Sequence, residues 1–145
     1  MKTRLSLLLL LAVALGGCDL FKKEELNLPT NPITQTAEND LVTFSRTALE
    51  AVKKGTVFLV RVAVEAKTDL ELLAVSEVLP ADFVVISGET TAFLANVGPG
   101  DRLEMTYSLQ AAAPKGAFEL GGFSRAKPAG EDSLQLQLVS PLAVK

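Results

Sequence analysis

Cys18 is the single thiol in 145 residues, and the chain contains no histidine at all. A thiolate can serve as a nucleophile, a metal ligand or the point of attachment of a thioether. Without histidine, Ser-His-Asp and Cys-His catalysis, the commonest general base and the usual transition-metal ligand all disappear. Carboxylates remain. Asp69 with Glu71, Asp82, Asp101, and Glu131 with Asp132 lie in turn-rich stretches and could offer oxygens to Ca2+, which takes about six to eight of them. Their spacing matches no calcium loop, so a solvated surface is the expected role. A glycosidase pair is disfavoured as well, because these residues lie on turns with no neighbouring aromatic to stack a sugar ring. The sequence therefore points to no catalytic residue, no metal site and no cofactor, and the chain is expected not to be an enzyme.

What surrounds Cys18 decides its chemistry. Lys2 and Arg4 open the chain, an uncharged Leu-rich stretch runs from Leu5 to Leu15, and Gly16-Gly17-Cys18 closes it. A basic head, an apolar middle and a small-residue exit form a secretory leader. The uncharged stretch is shorter than the roughly 20 residues a helix needs to cross a bilayer. Leu15-Gly16-Gly17-Cys18 resembles the lipobox of bacterial lipoproteins. The resemblance implies removal of residues 1–17, lipidation of the Cys18 sulfur and acylation of its new amino group. An ordinary leader with an incidental cysteine is the competing reading, and the position of the sole cysteine favours lipidation. Two or three acyl chains hold a protein on a membrane, at about 0.8 kcal/mol per buried methylene. Asp19 resembles an inner-membrane retention signal that bacteria do not follow uniformly, so the choice between inner and outer membrane stays open.

Loss of residues 1–17 from 145 leaves 128, room for one domain and a tether. Losing Lys2 and Arg4 from 14 basic residues leaves 12 against 17 acidic ones, a formal charge of −5. That balance argues against nucleic acid, whose affinity comes from neutralised phosphates, and against the domain lying flat on anionic lipid. With Cys18 consumed, no disulfide is possible, and the core alone must stabilise the fold.

Residues 18–40, with Pro29, Pro32 and many Thr and Asn residues, read as the lipidated cysteine followed by a flexible tether. The domain is expected over 41–145. Within it Phe58, Val60, Val62 and Val64 alternate with polar neighbours, as do Leu103, Met105, Tyr107 and Leu109, and then Leu134, Leu136 and Leu138. Period two means half-buried strands. Weaker strands are expected around 74–79, 83–87, 90–97 and 117–125, separated by Gly- and Pro-containing turns. Gly121-Gly122 reads as a bulge letting Leu120 and Phe123 both face inward. Residues 43–54 fit either a strand and loop or a short helix, with the strand preferred. Lys53-Lys54 reads as edge protection and solubility. Phe58, Phe83, Phe93, Tyr107, Phe118 and Phe123 are assigned to the core, with a lipid pocket as the alternative. The expected fold is all-β, an antiparallel sandwich of about seven strands.

The order of segments resembles the immunoglobulin-like conserved-repeat domain of bacterial surface proteins, a domain family of unknown function. The resemblance rests on Leu41 to Phe44, on Gly55 to Val64, on Glu77-Val78-Leu79-Pro80 and on Pro99-Gly100 leading to Tyr107. It implies a spacer, adhesive or assembly module with no catalytic residues. The expected function is thus a membrane-anchored envelope lipoprotein whose domain engages a protein partner. The alternative is a carrier or sensor of a small apolar ligand or lipid.

Overall fold

A computed structural model describes residues 31–145. Cys18, the leader over 1–17 and most of the expected tether lie outside the described residues. Ten strands follow in order: β1 (Ile33–Glu38), β2 (Val42–Ala48), β3 (Ala51–Val52), β4 (Val57–Ala66), β5 (Leu70–Val78), β6 (Phe83–Gly88), β7 (Thr91–Val97), β8 (Arg102–Ala111), β9 (Gly116–Lys127) and β10 (Leu134–Val144). They build two five-stranded sheets, β1-β2-β4-β8-β6 and β3-β10-β9-β5-β7. Every pairing is antiparallel except the two-residue match of β3 with β10. The fold is an immunoglobulin-like β-sandwich.

Alternation in the sequence becomes alternation in space. On β4, Phe58, Val60, Val62 and Val64 are buried, and on β8 so are Leu103, Met105, Tyr107 and Leu109. Leu73 and Val75 of β5, Leu120 of β9, and Leu138 and Leu142 of β10 meet them from the second sheet. Each such side chain contributes about 1.5–3 kcal/mol when fully withdrawn from water.

Several expectations change. The strands number ten rather than about seven. Residues 33–38, assigned to the tether, form β1, so the domain starts ahead of residue 41. Only Ile33 and Ala37 are apolar on its inward side, with Gln35 between them, which hides the strand within a polar stretch. Residues 43–54 take the preferred strand reading and not the helix: β2 alternates inward Val42, Phe44, Arg46 and Ala48, and β3 follows in the other sheet. An arginine in an inward slot obscured the period. Gly121 and Gly122 make no bulge, because β9 pairs with β10 in unbroken register through Gly121↔Val139 and Gly122↔Leu138; Leu120 points inward and Phe123 outward. The irregularity falls instead between Val85 and Ser87 of β6. Leu134, expected to point inward, is exposed, and so is Phe93, at 72 %.

The two turns that shape the site are local chemistry. The Asn39 side-chain oxygen accepts the backbone N–H groups of Leu41 and Val42 at 2.9 Å each, reversing β1 into β2 as an Asx turn does. At Gly88 the chain leaves the first sheet and crosses to β7 in the second. Its φ is +84°, and a Cβ there would strike the Thr106 carbonyl oxygen and lie 2.7 Å from the Tyr107 Cα. Only glycine suits that crossing.

Candidate protein-interaction face

The densest polar chemistry sits inside the sandwich. Arg46 of β2 makes a bidentate pair with Glu77 of β5, Nε to Oε2 at 2.9 Å and Nη2 to Oε1 at 2.8 Å. Its Nη1 donates to the Leu120 carbonyl at 2.8 Å and to Ser140 Oγ at 2.9 Å. Tyr107 of β8 donates its hydroxyl to Glu77 Oε2 at 2.5 Å. Burial, reinforced by the Glu77 carboxylate, pushes the Tyr107 hydroxyl far above the ordinary tyrosine range. A carboxylate, a guanidinium and a phenol could serve acid-base work. Here both charged side chains have no exposed area, and the void beside them, between Ile33, Gln35, Leu49 and Pro141, holds only about 10 Å3. That is room for a single water, not for a substrate. The group clamps one sheet to the other, and Gly122 makes space for it: a Cβ at 122 would collide with the Glu77 carboxylate and stand 2.6 Å from Arg46 Nη2.

Of the acidic residues singled out in the sequence, Asp69 and Asp101 both lie beside Gly98, with Glu131 and Asp132 in a turn at the same end of the sandwich, and Asp82 lies at the other end. Among the described residues no three His, Cys, Asp or Glu side chains converge as metal ligands. Glu71 pairs with Lys127 at 2.9 Å, and that hydrogen bond and charge hold its carboxyl below the usual range. Asp101 Oδ2 accepts the Gly98 N–H at 2.8 Å and shapes its own turn.

The surface feature that stands out is the outer face of the second sheet. Registers place its outward residues in rows across β7, β5, β9 and β10: Phe93, Ala74, Arg125 and Gln135; then Thr91, Ser76, Phe123 and Gln137; then Val78, Gly121 and Val139. Small residues at 74, 76 and 121 leave the sheet surface low, and larger ones stand around them. Two shallow depressions result. One of about 320 Å3 lies over Ala74 and Ser76 between Leu72, Phe123 and Arg125. The other, of about 300 Å3, lies over Gly121 between Val78, Pro80, Phe123 and Val139. Phe123 forms the ridge between them, and Phe93 rises beside the first. The outer face of the first sheet divides: Val57, Leu59, Val84 and Ile86 are exposed on β4 and β6, while its depression is lined by Ser45, Thr47, Arg61, Arg102, Glu104 and Thr106 among others.

Neither phenylalanine is legible as a surface feature: Phe93 reads as a core residue of an apolar strand, and Phe123 reads as inward only through a bulge at Gly121-Gly122 that unbroken pairing removes. The Gly121-Gly122 pair was the available signal. Its meaning is a lowered floor outside and space for Arg46 inside.

No protein-family model and no curated protein matches this chain. Solved structures do. The GAE domain of GGA2p from Saccharomyces cerevisiae superposes with a TM-score of 0.53 at 9% identity, over 78% of this chain and 100% of that one. The yeast GGA1 GAE domain gives 0.51 at 9% identity, over 77% and 100%. A FixG-related protein from Vibrio parahaemolyticus gives 0.47 at 16% identity, over 74% and 99%. At these identities the first two bear on the fold alone.

Proposed function

We propose that this chain is a lipid-anchored, non-catalytic module of the bacterial cell envelope that docks a protein partner on the outer face of its second sheet. The carrying observation is Phe93, 72 % exposed in the middle of a strand and aligned with two apolar depressions divided by Phe123. An exposed aromatic beside a shallow apolar floor is the composition of an interface centre. The leader, the lipobox-like residues before Cys18 and the polar stretch that follows support the anchor. The resemblance to bacterial surface repeats and the sandwich fold support an assembly role. The void between the sheets beside Arg46 is water-sized, which gives a carrier of small apolar ligands no support there.

The test is photo-crosslinking in intact cells. A photoreactive residue at position 93 or 123 is expected to yield a discrete protein adduct, while one at Thr106, on the other sheet, yields none. Adducts from 106 with none from 93 or 123 would exclude this face. Phe93→Ala is expected to weaken the complex by about tenfold or more, and to change stability by about 0.5 kcal/mol or less, since the side chain buries little. Cys18→Ser is expected to move the protein from the membrane to the soluble fraction while leaving its fold intact.

A further inference from the structure

Strands running along a common axis give the sandwich two ends, and the ends differ in charge. One end gathers the start of β1, residues 49–50, the turn at 53–56, the turn at 80–82, the turn at 112–115 and the finish of β10. Backbone hydrogen bonds tie these pieces together: Gly55 N–H to the Ala111 carbonyl at 2.7 Å, Ala111 N–H to Thr56 at 3.0 Å, and Lys145 N–H to Val52 at 2.9 Å. Four exposed lysines crown this end: Lys53, Lys54, Lys115 and Lys145. Against them stand Glu50, Asp82, Glu119 beside Pro80 and, where the chain finishes at 145, its carboxylate.

The opposite end, with turns at 39–41, 67–69, 98–101 and 128–133, carries Asp40, Asp69, Asp101, Glu131 and Asp132. The cations near it are already engaged. Lys67 pairs with Glu38 at 2.9 Å, Lys127 with Glu71 at 2.9 Å and Arg102 with Glu104 at 3.1 Å. Among the described residues none of the four lysines at the first end has such a carboxylate partner. That end also presents Val57 and Val84, 52 % and 47 % exposed, which flank Gln110 on the outer face. Lysines beside modest apolar side chains match the boundary between headgroups and acyl chains.

The chain reaches the domain at this same end, through Ile33. We infer that the lysine end seats on anionic lipid headgroups of the membrane carrying the anchor, and so stands the sandwich upright with its acidic end outward. The inference rests on the anchor proposed above and adds the surface that faces the membrane. Residues 18–32 span at most about 50 Å extended and about 20 Å as a coil, so the lysine end is held near the lipid at high effective concentration. Each lysine near an anionic surface is worth about fivefold in partitioning. The attraction fades beyond about 8 Å at physiological salt, and therefore acts only on the end in contact. Net negative charge hides this arrangement, because the molecule's negative balance is concentrated at the far end and along the sides.

The sole cysteine provides the test. The chain from residue 18 onward is coupled through the Cys18 thiol to a maleimide lipid, in vesicles of phosphatidylcholine alone or with one quarter phosphatidylglycerol, and lysine acylation is mapped by mass spectrometry. Lys53, Lys54, Lys115 and Lys145 are expected to be protected at least threefold on anionic vesicles, with the protection lost in 1 M salt, while Lys67 and Lys127 do not change. Equal labelling of the four on both vesicles overturns the inference. In Lys53→Gln/Lys54→Gln/Lys115→Gln, Lys145 should lose its protection, and undiminished protection there overturns the role of the cluster. The coupling is made chemically, so these outcomes are independent of lipidation in cells. Absence of acyl-chain incorporation at Cys18 in cells would instead sink the anchor.

Discussion

Arg46 shows how one side chain can organise a fold that its local sequence does not announce. It occupies an inward slot between Phe44 and Ala48, and its guanidinium meets Glu77, 31 residues away. A buried ion pair recovers its desolvation cost only with near-ideal geometry and satisfied lone pairs. Here the bidentate contact, the Leu120 carbonyl, Ser140 and the Tyr107 hydroxyl provide both. Removing one partner strands the other: Arg46→Ala or Glu77→Ala should each cost about 3–5 kcal/mol, read from denaturant midpoints. The combined Arg46→Met/Glu77→Leu/Tyr107→Phe variant should recover most of that loss, because no unpaired charge remains. If the triple variant is as unstable as the singles added together, the clamp is not a coupled unit. Glu77 was legible as part of a strand ending in Leu-Pro. Its partner was not, since nothing in the sequence records which inward residues face each other across two sheets.

Strands with apolar residues at every second position were legible as elements, and β4, β8 and the first half of β10 follow from Phe58 to Val64, Leu103 to Leu109 and Leu136 to Leu138. Strands whose inward positions are polar or few were not. β1 has two apolar inward residues, and β2 carries an arginine. The outer face was misread for the related reason that period two identifies two faces without saying which is wet: Phe93 alternates correctly and points to solvent. The sheet crossing at Gly88 belongs to this scale too. Gly88→Ala combines a left-handed φ with a collision against the β8 backbone, and should destabilise the domain by about 2 kcal/mol or more, seen as a lower denaturant midpoint. A midpoint within error of the parent would mean that β6 and β7 can shift away from β8 at little cost.

The molecule as a whole has one tyrosine and no tryptophan, which makes its phenolate absorbance a report on a single core contact. Burial and Glu77 raise the Tyr107 hydroxyl in the folded state. A raised folded value means that the stabilisation is complete below the unfolded value near pH 10 and is lost as pH climbs beyond it. Phenolate absorbance should therefore stay silent through pH 10 and appear together with unfolding, and Tyr107→Phe should flatten the stability profile above pH 10. Phenolate appearing near pH 10 with the fold intact would contradict the buried contact.

The first strand, finally, has a mechanical meaning. β1 is an edge strand joined to β2 by six register pairs, from Ile33↔Ala48 to Glu38↔Thr43, and the chain enters it at Ile33. On the anchor and partner proposed above, a pull from Cys18 along the strand against a partner on the second sheet would load β1 lengthwise. The hydrogen bonds to β2 would then resist together in shear instead of opening one at a time like a zip, so the strand hidden in the polar stretch is placed where tension from the proposed anchor would be borne.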